Sequence, residues 1–287
     1  MKTKTQSSLS LKLLVISVFI AFLLLFVLRS RLTSSGENTS LLLSASSISH
    51  AFLPTSCSST KCNNKIPSSV AKSLIHYATS NTTPQQKLDE ISITSNILDK
   101  KSPCNFLVFG LGHDSLMWHT LNFGGRTIFL DEDVIWIEKI KKKFPMLESY
   151  HVTYDSKVKE ANVLMEAGKK PDCTAIADPR YSKCQLALKG LPNEIYDIKW
   201  DLIMVDAPTG FHENAPGRMT AIYTAGMMAR NKENGETHVF VHDVHRNIED
   251  KFSKAFLCDG YMKKQVGKLR HFTIPSHKNN LDMPFCP

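Results

Sequence analysis

Apolar residues recur along this chain in two rhythms, and the change from one to the other marks its elements. From about residue 66, Val70, Leu74, Ile75 and Tyr77, then Leu88, Ile91, Ile97 and Leu98, return at intervals near three and four, which predicts two helices capping a domain. After Ser102-Pro103 comes Asn105-Phe106-Leu107-Val108-Phe109-Gly110, a short apolar run of the kind that forms a strand covered on both faces, as in a parallel sheet. Strands of the same kind are predicted at 127–131, near 149–153, at 200–206 and at 237–242, separated by helix-length stretches. This is a doubly wound βαβ layout, so the fold class is α/β. Beyond Val244 the pattern predicts one helix over about 247–256 and then two close strands, 261–266 and 270–274, suited to an antiparallel hairpin.

The amino-terminal part reads differently. Leu13 to Leu28 is a run without a charge, reaching back to Leu11 if the ammonium of Lys12 bends toward lipid headgroups. Arg29 and Arg31 follow it directly, where a cleaved signal would carry small residues, so residues 11–28 are expected to be an uncleaved anchor. Lys2, Lys4 and Lys12 before the run favour a cytoplasmic tail over residues 1–10 and a luminal carboxyl-terminal side. Residues 29–65, dense in Ser, Thr and Asn, read as a flexible stem, leaving 66–287 as the catalytic domain.

Composition sharpens that picture. The sequons Asn38-Thr39-Ser40 and Asn81-Thr82-Thr83 and seven cysteines agree with a secretory lumen. Local spacing allows the pairs Cys57–Cys62, Cys173–Cys184 and Cys258–Cys286, with Cys104 left over, and no spacing suits structural zinc. A net charge of +8 points to an acidic partner. In a lumen nucleic acid drops out, leaving an anionic membrane surface or a polyanionic substrate, although Lys139 to Lys143 also reads as the solvated end of a helix.

Candidate chemistry sits at the predicted strand ends. Gly110-Leu111-Gly112 follows the first strand, where glycines let the backbone approach a ligand, and Asp131-Glu132-Asp133 ends the second, about twenty residues on. A carboxylate there accepts hydrogen bonds from ribose hydroxyls, so Gly110, Gly112, Asp131 and Glu132 are candidate nucleoside-binding residues. A tight βα turn and a helix amino terminus would also use these residue types. A dinucleotide fold wants a third glycine where Ser115 stands and a second mononucleotide half, and neither is present. One half plus a terminal hairpin resembles the Rossmann-like class I methyltransferases. That likeness implies S-adenosylmethionine as cofactor and places Tyr154-Asp155 near the adenine.

Asp206 ends the fourth strand and His242-Asp243-Val244-His245 the fifth. A sugar hydroxyl is a poor nucleophile and needs its proton removed or its oxygen bound by a Lewis acid. Asp206, Asp243, His242 and His245 are therefore candidate catalytic residues. Asp206 and Asp243 also resemble the acidic pair by which metal-dependent O-methyltransferases hold a divalent cation. Between the two strand ends, His212 and Arg218 lie in a turn-rich loop, with Arg218 suited to pair bidentately with a substrate carboxylate.

Several motifs taken together resemble one family, the plant glucuronoxylan 4-O-methyltransferases and their relatives. They are the Phe109–Ser115 and Gly125–Glu132 segments, Trp200–Pro208, Ala215–Met219 and His242-Asp243. The likeness runs from about Ser102 to the carboxyl terminus, and the short anchor and Ser/Thr-rich stem agree with it. It implies methylation of O4 on glucuronic acid side chains of xylan by a single-pass type II protein of the Golgi membrane. Arabinogalactan glucuronic acid is a second acceptor for relatives of this kind. A non-catalytic xylan-assembly scaffold is the rival reading from another class, and it would bind xylan without the nucleoside.

Overall fold

The computed structural model describes residues 66–278 and 283–287. The expected tail 1–10, anchor 11–28, stem 29–65, the sequon at Asn38 and the Cys57–Cys62 pair lie outside these residues. Among the described residues no helix is long and apolar enough to cross a membrane.

Two helices, α1 (Ser68–Ala78) and α2 (Leu88–Lys101), precede the sheet. Then β1 (Asn105–Phe109), α3 (Ser115–Leu121), β2 (Arg126–Asp131), α4 (Val134–Lys143) and β3 (Glu148–His151) alternate. A long excursion carries α5 (Ala161–Gly168), α6 (Pro171–Thr174) and α7 (Asn193–Asp197) before β4 (Leu202–Val205). The chain continues through α8 (Met219–Arg230), β5 (Glu236–Val241), α9 (Asn247–Ser253), β6 (Met262–Val266) and β7 (Leu269–Pro275). The seven strands run in the order β3-β2-β1-β4-β5-β7-β6, with β7 antiparallel to both of its neighbours. This is the mixed, Rossmann-like sheet of class I methyltransferases, and the terminal hairpin stands where the apolar pattern puts it. All five parallel strands therefore present their carboxyl ends along one edge.

Alternation within the strands builds two cores, because successive side chains point to opposite faces. Phe106, Val108, Phe129, Met204 and Phe240 face α2, α3 and α4 through Leu98, Trp118, Ile137 and Ile140. Leu107, Phe109, Ile128, Ile203, Val239 and Phe272 face the other way, toward α8. All twelve residues of α8 are buried, so it is an inner helix covered on every side. The excursion after β3 covers its outer face: the Tyr223 hydroxyl donates to Cys173 O at 2.9 Å, and the Thr224 hydroxyl accepts from Leu188 N at 2.8 Å. Lys141, Lys142 and Lys143 form the exposed last turn of α4, where cations favour the carbonyl end of the dipole. That part of the positive charge belongs to a solvated helix end.

The pairs Cys173–Cys184 and Cys258–Cys286, which the spacing allows, are disulfides, and Cys104 is free and buried. On the sheet, His238 Nδ1 lies 3.0 Å from His271 Nε2, and His271 stacks on Phe240. Burial, with His238 and Lys263 nearby, pushes the His271 pKa down to about 4 from 6.5. The unfolded imidazole takes its proton near pH 6.5 and the folded one only near 4, so stability falls as pH drops between those values. Each pKa unit is worth about 1.4 kcal/mol, which puts the total loss from this group at about 3 kcal/mol. Chemical denaturation of wild type and His271→Phe at pH 7 and pH 4.5 checks this, with the variant expected to lose less stability on acidification. Equal losses would remove His271 from the acid response.

Candidate active site

A cavity of about 780 Å3 opens along the carboxyl edge of the sheet. Its walls come from the turns after β1, β2, β4 and β5, and from segment 80–85, which follows α1. Gly110 begins the first turn at φ +126°, a conformation that L side chains rarely adopt, and a Cβ there would stand 3.3 Å from that of Ala207. The turn is held from β2: Asp131 accepts from Leu111 N at 2.9 Å through one oxygen and from Asp133 N at 3.0 Å through the other. Gly112 N donates to the Ser115 hydroxyl at 2.8 Å, so the residue in the third-glycine position ties the turn to the start of α3. The cradle thus fits a nucleoside whose chain passes close to backbone.

Asp131, with each oxygen taken by a backbone amide, shapes this cradle. Glu132 accepts from Thr209 N at 2.8 Å through Oε1, and no hydrogen bond occupies its Oε2 among the described residues. Glu132 lines the cavity and is the carboxylate with capacity left for ribose hydroxyls. Glu132→Ala is expected to weaken S-adenosylhomocysteine binding by about 1–3 kcal/mol, roughly 5- to 150-fold. A wild-type dissociation constant in calorimetry would sink the ribose assignment.

In the same cavity, β4 and β5 bring Asp206 and His242 together, with His242 Nδ1 2.9 Å from Asp206 Oδ1. Asp206 Oδ2 accepts from Gln86 Nε2 at 3.1 Å. Burial works against a charged Asp206, but the His242 hydrogen bond and the Arg218 guanidinium outweigh it, and its pKa is lowered. Burial equally opposes a charged His242, and the bond and charge of Asp206 reverse that effect, raising its pKa. Asp243 sits at φ +62°, in the left-handed region that Asp tolerates better than most residues. Arg218 closes the cluster, at 3.2 Å from Asp206 Oδ1 and 3.0 Å from Asp243 Oδ2, and donates to His242 O at 2.9 Å. Asp206, His242 and Asp243 offer ligand atoms within 4.8 Å of one another, a donor set of the kind a divalent cation takes.

A family model described as IRX15/IRX15L/GXM matches residues 89–272, which carry the turns after β1, β2, β4 and β5 that wall this cavity. The chain belongs to the IRX15/IRX15L/GXM family. It is 61% identical to glucuronoxylan 4-O-methyltransferase 1 of Arabidopsis thaliana over 100% of both chains. Arabinogalactan O-methyltransferase 2 of the same plant is 53% identical, over 75% of this chain and 77% of its own. Protein IRREGULAR XYLEM 15, also of Arabidopsis thaliana, is 35% identical over 94% of this chain and 86% of its own. Among solved structures, a methyltransferase-like protein from Silicibacter pomeroyi aligns with 68% of this chain and 89% of its own, at a TM-score of 0.39 and 12% identity.

Within this IRX15/IRX15L/GXM chain, several candidate residues stand elsewhere than their motifs suggest. Arg218 lines the cavity but is 5% exposed and committed to two carboxylates, so it braces the cluster and is not a free clamp for a substrate carboxylate. His212 is exposed at a loop tip beside Phe211 and does not line the cavity. His245 is also outside the lining, because the left-handed turn at Asp243 carries the chain outward; its side chain is 48% exposed, 3.8 Å from Asp243. Asp155 is exposed and outside it too, since the chain after β3 is drawn to the loop before α8 by Ser156 Oγ donating to Pro216 O and Val158 N to Ala215 O.

Other lining residues had no role in the motif reading. Asp114, inside the Phe109–Ser115 segment, accepts from Trp118 Nε1 at 2.8 Å, and burial next to Asp206 raises its pKa. Tyr77 lines the cavity and donates to His113 O at 2.8 Å, fastening α1 to the first turn. Gln86, Tyr77 and Lys268 carried no local signal, because each reaches the site only through long-range packing.

Proposed function

We propose that this chain is an S-adenosylmethionine-dependent methyltransferase acting on O4 of the glucuronic acid side chains of glucuronoxylan. The observation that carries the reading is the single cavity in which the Gly110–Glu132 cradle faces the hydrogen-bonded Asp206–His242 pair. The full-length likeness to a glucuronoxylan 4-O-methyltransferase supplies the acceptor class. Bound in the cradle, S-adenosylmethionine supplies an electrophilic methyl group on sulfur. Glu132 holds the ribose and the Gly110–Gly112 turn lets the cofactor's chain approach the backbone. Asp206 receives the hydrogen bond of the acceptor hydroxyl, and its pairing with His242 gives the departing proton a two-residue site that titrates as a unit. The O–CH3 bond forms as the S–CH3 bond breaks, and the proton leaves to that pair. A divalent cation held by Asp206, His242 and Asp243 would act as a Lewis acid on the same hydroxyl.

The setting supports a type II protein of the Golgi membrane with a luminal catalytic domain and an acidic polysaccharide as partner. The apolar run, the lysines before it and the two sequons agree with that placement, as do two disulfides, which persist in oxidising compartments. Arabinogalactan glucuronic acid is the second acceptor, favoured by the 53% relative.

The test is transfer of labelled methyl by the full-length chain in detergent, offered glucuronoxylan, arabinogalactan and xylan stripped of glucuronic acid, with and without chelator. Label on the glucuronic acid of xylan is the expected result, and loss of label with chelator would assign the cation. Xylan binding with neither cofactor binding nor transfer to any acceptor would overturn the transferase reading in favour of a scaffold.

A further inference from the structure

Three guanidinium or ammonium groups line the cavity: Arg218, Arg246 and Lys268. Arg218 is spent on Asp206 and Asp243. Arg246 pairs with Asp243 at 2.9 Å and lies 3.7 Å from Glu249. The Lys268 ammonium has no ion pair or hydrogen bond among the described residues, which makes it the uncompensated cation at the cavity mouth.

Its backbone is pinned on both sides. Lys268 N donates to Glu90 Oε1 at 2.6 Å and Lys268 O accepts from Val244 N at 3.0 Å. Burial opposes a charged Glu90, but the amides of Lys268 and Lys87 hold its pKa down. Gly267 precedes it at φ +53°, and a Cβ there would run into Glu90 Oε1, so the close approach requires glycine. The same Glu90 lies 3.8 Å from His242, which places the root of Lys268 one carboxylate away from the proposed base. A long flexible side chain thus starts from a fixed backbone point close to the reacting pair and lines the same cavity.

We propose that Lys268 is the acceptor-specificity residue of this site, its ammonium pairing with the carboxylate of the sugar whose hydroxyl is methylated. This rests on the reading of the acceptor as a uronic acid. It replaces Arg218 in that role, because a guanidinium already holding two buried carboxylates has none to offer a third.

Steady-state transfer by the full-length chain, wild type and Lys268→Met, is measured on glucuronoxylan and on the same xylan with its glucuronic acids reduced to glucose. Lys268 is exposed, and a charged hydrogen bond formed there with the bound carboxylate predicts a KM on glucuronoxylan about 10-fold higher in the variant. The expected companions are a turnover number within about threefold, unchanged S-adenosylhomocysteine binding, and loss of the preference for charged over reduced xylan. Lys268→Arg should restore most of that preference. A variant KM within twofold of wild type, or a wild type indifferent to carboxyl reduction, overturns the proposal. No transfer to any xylan by the wild type would instead overturn the glucuronoxylan reading on which the proposal rests.

Discussion

Replacing Asp206 with asparagine is expected to leave S-adenosylhomocysteine binding near its wild-type value and to lower turnover by about 10²- to 10⁴-fold, the usual worth of a positioned proton acceptor. Asparagine keeps the size of the side chain and can still accept from Gln86 or His242. It removes the negative charge that raises the His242 pKa and that Arg218 neutralises. An amide is no proton acceptor, so an acceptor hydroxyl keeps its proton at the moment the methyl group must be attacked. Gly110 and Glu132 touch the Ala207–Thr209 turn, but among the described residues no hydrogen bond joins Gly110, Asp131 or Glu132 to Asp206, which is why binding and turnover should separate. Turnover within a few-fold of wild type would remove Asp206 from the mechanism.

Arg218→Met is expected to lower stability by about 3–5 kcal/mol, because it leaves buried Asp243 and partly buried Asp206 short of a partner. Asp243 keeps Arg246 and Asp206 keeps His242, yet both lose the guanidinium between them, and the carbonyls of His242 and Pro208 lose its hydrogen bonds. Methionine matches the apolar part of the side chain, so a cavity term adds little. Arg218→Lys restores the charge but not the planar fork that reaches both acids, so it should recover only part of the loss. Urea denaturation of the three proteins gives the comparison. A loss under 1 kcal/mol for Arg218→Met would mean that the two acids are adequately held without it.

Much of the architecture was legible because it is written in local pattern. Phe106 to Phe109 and Leu202 to Val205 are apolar on both faces, and a strand of that kind has few homes outside a covered parallel sheet. The inner helix α8 was hidden for the complementary reason. Its residues are buried on all sides by an excursion that starts far away in sequence, and no one-sided stripe announces it. At the site, Gly110, Glu132, Asp206 and His242 could be found because strand ends concentrate them along one edge. The nearby Asp131, Asp155, His212, Arg218 and His245 could not be told apart from them by residue type.

What the sequence by itself determined is therefore the order of elements and the edge on which chemistry happens, since each follows from short-range spacing and from the geometry of consecutive βα units; it allowed the two described disulfide pairs, and the structure decided them. Only the tertiary structure decided which charges are spent on one another and which remain free. Arg218 is absorbed by acids twelve residues before it and twenty-five after it, while Gln86 and Lys268 arrive from opposite ends of the domain to complete the site. Charge pairing depends on distances of 3–4 Å in space, and a spacing along the chain does not carry that information.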